Sequence, residues 1–356
     1  MRKIEYIDFA KGYAILSIVL YHALQRVALP PMLGKAIIFG GTGVHLFFLL
    51  SGFGLGLSKS AVSVGDFYKR RLTKIWLPYI LALTISLLAA VALGLFPDGW
   101  AAWAAGVFLY QMFFEKYVQS FGGHFWFISA IVQFYLVFPA LVWAKRKIGH
   151  AWAFAGLALL VSVLWWELVF ILGKGHERIW NSCFLQFLWE FALGMALSEN
   201  VFRVSYFETH ETRNTKHETR NAQWWLSLPI GLVFTGLMIL MILKMGEVGR
   251  LFNDIPALIG YATLSYFVFK FSERFVPVVK RFFLWVSGFS FSLYLVHVLV
   301  LELYVQFLRL QNLPVSLPML LPYFVLALAA GWAFEPVSQW WVGLFERRRT
   351  PKLAAQ

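Results

Sequence analysis

The chain contains a single cysteine, Cys183. That excludes an intramolecular disulfide and any metal site built from several thiolates. Charge is also scarce: Asp, Glu, Lys and Arg make up 14% of the 356 residues, against about a quarter in a soluble domain. Acidic groups are the scarcer sign, 18 against 31 basic ones, for a net charge of +13. Such a basic excess can signal nucleic-acid binding, but here the cations sit in short loops between apolar runs and no nucleic-acid motif accompanies them. The pattern reports membrane orientation and attraction to anionic lipid instead. The first apolar segment lacks a convincing small-residue cleavage site, so it is expected to stay as an anchor.

What the chain does have is apolar surface. Hydrophobic residues make up 60%, with 36 Phe and 16 Trp, and the mean hydropathy is +0.68. Apolar runs near 10–30, 36–57, 75–95, 125–144, 151–172, 179–198, 224–243, 254–272, 283–308 and 317–342 predict ten transmembrane helices in an all-α polytopic membrane bundle. The stretch Trp100 to Phe114 is about 15 residues long, which suits a re-entrant or interfacial segment rather than a span. Ten passes with the N-terminus cytoplasmic put most Lys and Arg on the cytoplasmic side, including Lys69-Arg70-Arg71, Lys145-Arg146-Lys147, Lys280-Arg281 and Arg347-Arg348-Arg349. Both termini are then cytoplasmic. We expect a membrane domain over 1–345, a polar loop insertion at 199–222 and a basic tail at 346–356. The loop repeats His210-Glu211-Thr212-Arg213-Asn214 as His217-Glu218-Thr219-Arg220-Asn221. No apolar face accompanies the copies, so they read as a solvated insertion.

Five segments combine polar groups with apolar surroundings. In the first, His22 follows Lys11 by eleven residues. That spacing puts both on one helix face, about 16 Å apart along the axis. Lys11 can sit at one membrane surface while His22 reaches about half the depth of a ~30 Å core, where an ionisable group marks a functional site unless it is a satisfied packing residue. Asp8 can pair with Lys11 at the helix end. The second segment runs from Gly40 to Gly54 through His45, and its glycines permit either close helix packing or a broken helix. The third is cationic: Arg71 and Lys74, beside Lys69 and Arg70, serve as a positive-inside anchor or bind phosphates of an anionic ligand. The fourth, Gly122-Gly123-His124-Phe125-Trp126, offers backbone donors, an imidazole and an interfacial aromatic. The fifth brings Tyr294 and His297 to one face. Among acidic residues within spans, Glu190 should need a partner. No metal site is assigned.

Taken in order, these segments resemble the acyltransferase-3 family of integral membrane acyltransferases over essentially the whole chain. The resemblance rests on Asp8 to Lys11 and His22, Phe47-Phe48-Leu49-Leu50-Ser51-Gly52-Phe53, Arg70-Arg71 with Lys74 and Pro78, Phe125-Trp126 to Tyr135 and Pro139, and Ser290 to Tyr294 and His297. It implies transfer of an acyl group, commonly acetyl from acetyl-CoA, to a hydroxyl of a sugar or lipid-linked glycan at the outer face. His22 matches the family's catalytic histidine. Lys11 stands where arginine is usual, and Lys74 replaces the second arginine of an Arg-x2-Arg pair, which keeps the charge but loses the bidentate fork. Ile131 and Val132 stand where many members carry glutamate, so that carboxylate's role does not carry over. His45 stands where many have aspartate.

The resemblance thus implies a catalytic set of His22, Asp8 and Lys11, a donor-binding set of Arg70, Arg71 and Lys74, and an acceptor-binding set of His124, Trp126, Tyr294 and His297. Acyl-CoA is a co-substrate, with no tightly bound cofactor. The expected partners are acyl-CoA, a glycan or glycolipid acceptor, membrane lipid and proteins of envelope-polysaccharide synthesis. The expected location is the bacterial inner membrane. Acetyl is the default group beside succinyl or a longer chain, and exopolysaccharide, lipopolysaccharide, periplasmic glucan and glycolipid are all open as acceptors. A transporter or exporter of a small solute or glycan is the main alternative, but it predicts two related halves and no internal repeat of that kind is visible. A haem or quinone protein using His22, His45 and His297, or a membrane sensor, are further rivals.

Overall fold

The computed structural model describes residues 4–37, 43–58, 63–95, 99–208 and 223–347. Gly40, Gly41 and Thr42 of the glycine-rich segment, the His-Glu-Thr-Arg-Asn repeat and the tail beyond 347 lie outside the described residues. The described chain is helical, without strands. Its helices are α1 (Glu5–Leu24), α2 (Pro31–Ile37), α3 (Gly43–Leu57), α4 (Val64–Leu93), α5 (Gly99–Val107), α6 (Glu115–Val118), α7 (Trp126–Ile148), α8 (Ala151–Ile171), α9 (Arg178–Asn181), α10 (Leu188–Glu208), α11 (Ser227–Met245), α12 (Glu247–Phe252), α13 (Asp254–Phe275), α14 (Pro277–Ser287), α15 (Ser290–Leu310) and α16 (Leu320–Arg347).

Among the described residues, eight helices are long and apolar enough to cross a membrane: α1, α4, α7, α8, α11, α13, α15 and α16. The other two expected spans correspond to α3, 15 residues long, and to α10, which carries Glu190 and Glu199. With nine residues, α5 is about 14 Å long, too short to span a ~30 Å core.

Several boundaries differ from the sequence reading. α10 starts at Leu188, not near 179, and runs on to Glu208 through the first part of the expected loop. The break before it has a cause: the Leu185 and Gln186 carbonyls accept bonds from Ser162 Oγ (2.9 Å) and Trp166 Nε1 (3.1 Å) of α8. α4 begins eleven residues before the expected span. Ser63 caps it, its Oγ accepting from the Asp66 N–H at 3.1 Å and donating to Asp66 Oδ2 at 2.8 Å. Gly94, left-handed at φ 65°, ends it. Thirty residues make a rod of about 45 Å. If the apolar run from Ile75 fills the core, the turns bearing Lys69 to Lys74 project beyond it. Pro78 lies inside this helix.

The chain forms two compact units. One comprises residues 1–61 and 137–288. Its core gathers Ala14, Leu46, Trp166, Val169, Trp189, Leu251 and Leu258 from six helices. α3 and α10 approach so closely that a Cβ on Gly52 would strike the Phe191 carbonyl oxygen, and one on Gly194 the Leu49 carbonyl oxygen. Of the two readings of the glycine-rich segment, close packing is the one these glycines serve. Lys145 at the end of α7 reaches Glu199 of α10 at 3.0 Å. Lys280 of α14 joins Glu5 of α1 (2.7 Å) and Glu273 of α13 (2.9 Å). Burial is the largest single influence on Lys280 and opposes its charge, but the two carboxylates together outweigh it and raise its pKa above the ordinary lysine value.

The second unit comprises residues 62–136 and 289–356. Here α4 packs against α5, α15 and α16. Tyr79, Leu83, Phe125, Ile128, Leu293 and Tyr323 are fully buried.

Gly194→Ala is expected to lower the thermal unfolding midpoint in detergent, at a cost of at least about 1–3 kcal/mol from backbone overpacking. Gly54→Ala, at a position with open space around the missing Cβ, should leave the midpoint within a degree or two.

Candidate functional site

His22 lies in the last turn of α1, not at mid-helix as the sequence reading had it. The helix starts at Glu5, five residues before the expected span, and ends at Leu24 ahead of the Pro30-Pro31 pair. His22 is half-buried, and its Nδ1 lies 2.9 Å from the Ile18 carbonyl oxygen. A carbonyl only accepts, so Nδ1 carries the proton and Nε2 is the basic nitrogen of the neutral ring. Arg26 and Arg178 stand within electrostatic reach of the ring.

Asp8 and Lys11 pair with each other at 3.4 Å. Along the axis Lys11 lies some three turns, about 16 Å, before His22 and Asp8 nearly four turns, about 21 Å. They share its helix face but are too far away to exchange a proton with it, so any part they play is in positioning or ligand attraction.

In the second unit the structure brings together His124, Tyr294 and His297. The His124 ring centroid is 5.1 Å from that of His297 and 5.5 Å from that of Tyr294. Chain turns make this possible. Phe121, Gly122 and Gly123 are all left-handed, with φ of 54°, 89° and 72°, and swing the chain into α7. A Cβ on Gly122 would collide with Val298 of α15. The Tyr294 hydroxyl donates to the His124 carbonyl. His297, fully buried, has Nδ1 2.8 Å from the Tyr294 carbonyl, and its own carbonyl accepts from the Tyr323 hydroxyl at 3.2 Å. Buried Gln111 anchors the base of the turn, its Nε2 donating to Ser129 Oγ at 2.9 Å and to the Phe125 carbonyl at 3.3 Å. Trp126 is half-buried and meets Phe127 edge-on. His124 is only 3% exposed, so it shapes this cluster from within rather than facing the surface as an interfacial side chain.

Arg70 and Lys74 are exposed and Arg71 is half-buried, on the first turns of α4. One helical turn separates Arg70 from Lys74 and Arg71 from Lys74. Among the described residues no carboxylate is paired with these three cations. Arg71 stands within electrostatic reach of Tyr135. Such a face favours a ligand with several anionic oxygens.

Glu190 does have a partner. It sits in the first turn of α10, fully buried, with Oε1 2.5 Å from His45 Nδ1. Each of the two residues stands out in the sequence, but their pairing does not, because 145 residues separate them. Asp254, whose Oδ1 lies 3.9 Å from His45 Nε2, begins an apolar run and carries no such signal.

A family model described as an acyltransferase domain matches residues 4–335, nearly the whole chain. No curated protein and no solved structure matches the chain.

Tyr294→Phe removes the donor to a buried carbonyl and is expected to cost about 1–3 kcal/mol. Thermal unfolding of the purified variant in detergent checks this, and an unchanged midpoint would contradict the bond.

Proposed function

The chain belongs to the acyltransferase-3 family and is a multi-pass membrane acyltransferase, and from that premise we propose that it moves an acetyl group from cytoplasmic acetyl-CoA to a sugar hydroxyl of a cell-envelope glycan or glycolipid. The observation that carries the reading is the state of His22: Nδ1 is committed to the Ile18 carbonyl, so Nε2 is the base. In the proposed reaction Nε2 takes the proton of the acceptor hydroxyl as its oxygen attacks the thioester carbonyl. A C–O bond forms, the C–S bond breaks, and the proton returns from the imidazolium to the departing thiolate. The family assignment favours this over the transport reading.

Arg70, Arg71 and Lys74 are proposed to hold the phosphates of the donor. Their lack of carboxylate partners among the described residues supports that role. The positive-inside distribution supports a cytoplasmic position for these turns, and a bacterial inner-membrane location is part of the same proposal. His124, Tyr294 and His297 are proposed to shape the acceptor site, with Trp126 offering a ring face to a pyranose. Asp8 and Lys11 are proposed to steer the donor at the start of α1.

The test is transfer of radiolabelled acetyl from acetyl-CoA into envelope glycans. His22→Ala is expected to reduce incorporation by about 10²–10⁴-fold, the range for loss of a general base, at unchanged expression. Equal incorporation in the variant would remove His22 from the mechanism. Incubating wild type with labelled donor and no acceptor separates direct transfer from an acyl-imidazole intermediate, since only the second leaves label on the protein. Arg71→Gln should raise KM for acetyl-CoA about tenfold or more with little change in kcat, as expected for the loss of a charge-assisted contact. Steady-state kinetics over a range of donor concentrations measures the split.

A further inference from the structure

A second polar cluster lies in the first unit, apart from Arg71, His124 and His297: its His45 stands two residues before the Phe47 motif, while Glu190 and Asp254 lie outside the family segments. His45 from the first turn of α3, Glu190 from the first turn of α10 and Asp254 from the first residue of α13 are all buried. One nitrogen or oxygen from each lies within 4.8 Å of the others. The apolar core closes around them, with Leu46, Trp189 and Leu258 on the same helices and Leu251 on α12.

The tautomer is set by the short contact at one side of the ring. His45 Nδ1 donates to Glu190 Oε1 at 2.5 Å, so the lone pair of the neutral ring is on Nε2. Nε2 faces Asp254 Oδ1 at 3.9 Å, too far for a hydrogen bond. With the ring neutral and Asp254 ionised both atoms are electron-pair donors, and among the described residues nothing bridges them. A zinc-class ion at about 2.1 Å from each would bridge that gap with an N–metal–O angle near roughly 135°, and a small inward shift of either side chain brings the angle toward tetrahedral. The other Asp254 oxygen is held by Gln186 Nε2 at 2.8 Å, and Gln186 is itself fixed on the Leu251 carbonyl at 3.0 Å. That leaves Oδ1 as the oxygen of Asp254 available to a ligand.

A separate observation points to a missing partner. Glu190 is 0% exposed, and its Oε2 has no hydrogen-bond partner among the described residues. A buried ionised oxygen left so is costly unless something positive sits beside it. One divalent cation would balance the two carboxylates, and a carboxylate bonded to the far nitrogen of a ligand histidine is the usual support for such a ligand.

We propose that His45, Glu190 and Asp254 form a buried site for one divalent metal ion of the zinc class. His45 Nε2 and Asp254 Oδ1 are direct ligands, Glu190 orients the ring from its far nitrogen and supplies the second negative charge, and the ion ties α3, α10 and α13 together at their first turns. One imidazole and one carboxylate as ligands, with a second carboxylate behind the ring and no thiolate, suit zinc, manganese or iron(II) rather than copper(I), and the burial suits a structural ion.

The full chain, purified without a histidine tag in detergent and stripped with chelator, is titrated with Zn²⁺ and then dialysed. Bound metal is read by mass spectrometry, and the thermal midpoint is read with and without Zn²⁺. Wild type should retain about one ion per chain and gain stability from it. Asp254→Asn should bind at least tenfold more weakly and lose that gain. Glu190→Gln keeps a group that can accept from Nδ1 and should weaken binding about 10–100-fold; it serves if Asp254→Asn does not fold. Wild type that retains no ion would overturn the proposal and leave a shared proton as what joins the three groups. An ion retained equally by wild type and both variants would overturn it too, since the metal would then be bound elsewhere. Neither readout depends on acyl transfer, so the result stands apart from the fate of the proposed activity.

Discussion

Where α3 and α10 meet, two backbones touch with no side chain between them. Gly52 lies against the Phe191 carbonyl and Gly194 against the Leu49 carbonyl, so neither helix can rotate or slide without a collision. Apolar side chains give no hydrophobic preference for one neighbour over lipid, so in a membrane close packing must fix the register. The consequences reach the polar groups. With the seam locked, His45 meets Glu190 within hydrogen-bond reach, and Trp189 enters the same core as Trp166 from α8. A seam padded by ordinary side chains would hold α3 and α10 further apart and leave Glu190 without its imidazole.

A second constraint acts on the loops. A segment that is not helical must still satisfy its backbone, and in a membrane protein it does so against other parts of the chain. Ahead of α10 the Leu185 and Gln186 carbonyls accept from Ser162 and Trp166, and those of Cys183 and Phe184 from backbone N–H groups nearby. The turn before α7 hands the His124 carbonyl to Tyr294 and the Phe125 carbonyl to Gln111. These bonds explain why the polar side chains of the fourth and fifth motifs meet: the same contacts that allow the chain to leave helical geometry draw α15 and the start of α7 together.

The spans were legible from the sequence because a run of apolar residues of sufficient length has few other uses, and most of the long helices fall where such runs occur. The starts were less legible. α4 begins at Ser63 because of a cap, a local signal that an apolar window passes over. The start of α10 depends on side chains of α8, which no local reading contains. The place of His22 along its helix differs for a related reason, since polar residues from Glu5 onward belong to the helix although they do not belong to the apolar run. Among candidate site residues, spacing along one helix was readable, as with Asp8 and Lys11. Pairings across 145 or 170 residues, His45 with Glu190 and His124 with Tyr294, were not, because a single sequence carries no record of which helices become neighbours.

Pro78 gives α4 a property that its length alone would deny it. A proline has no N–H to donate, and the helical acceptor it fails to reach is the carbonyl four residues earlier, which belongs to Lys74. The turn that lacks this bond therefore begins at Lys74, the last of the cations, and runs into the buried stretch of Leu77, Tyr79, Ala82 and Leu83. A rung of the hydrogen-bond ladder is thus missing where the charged end of the helix meets its buried shaft, at the one kind of residue where a long helix bends most readily.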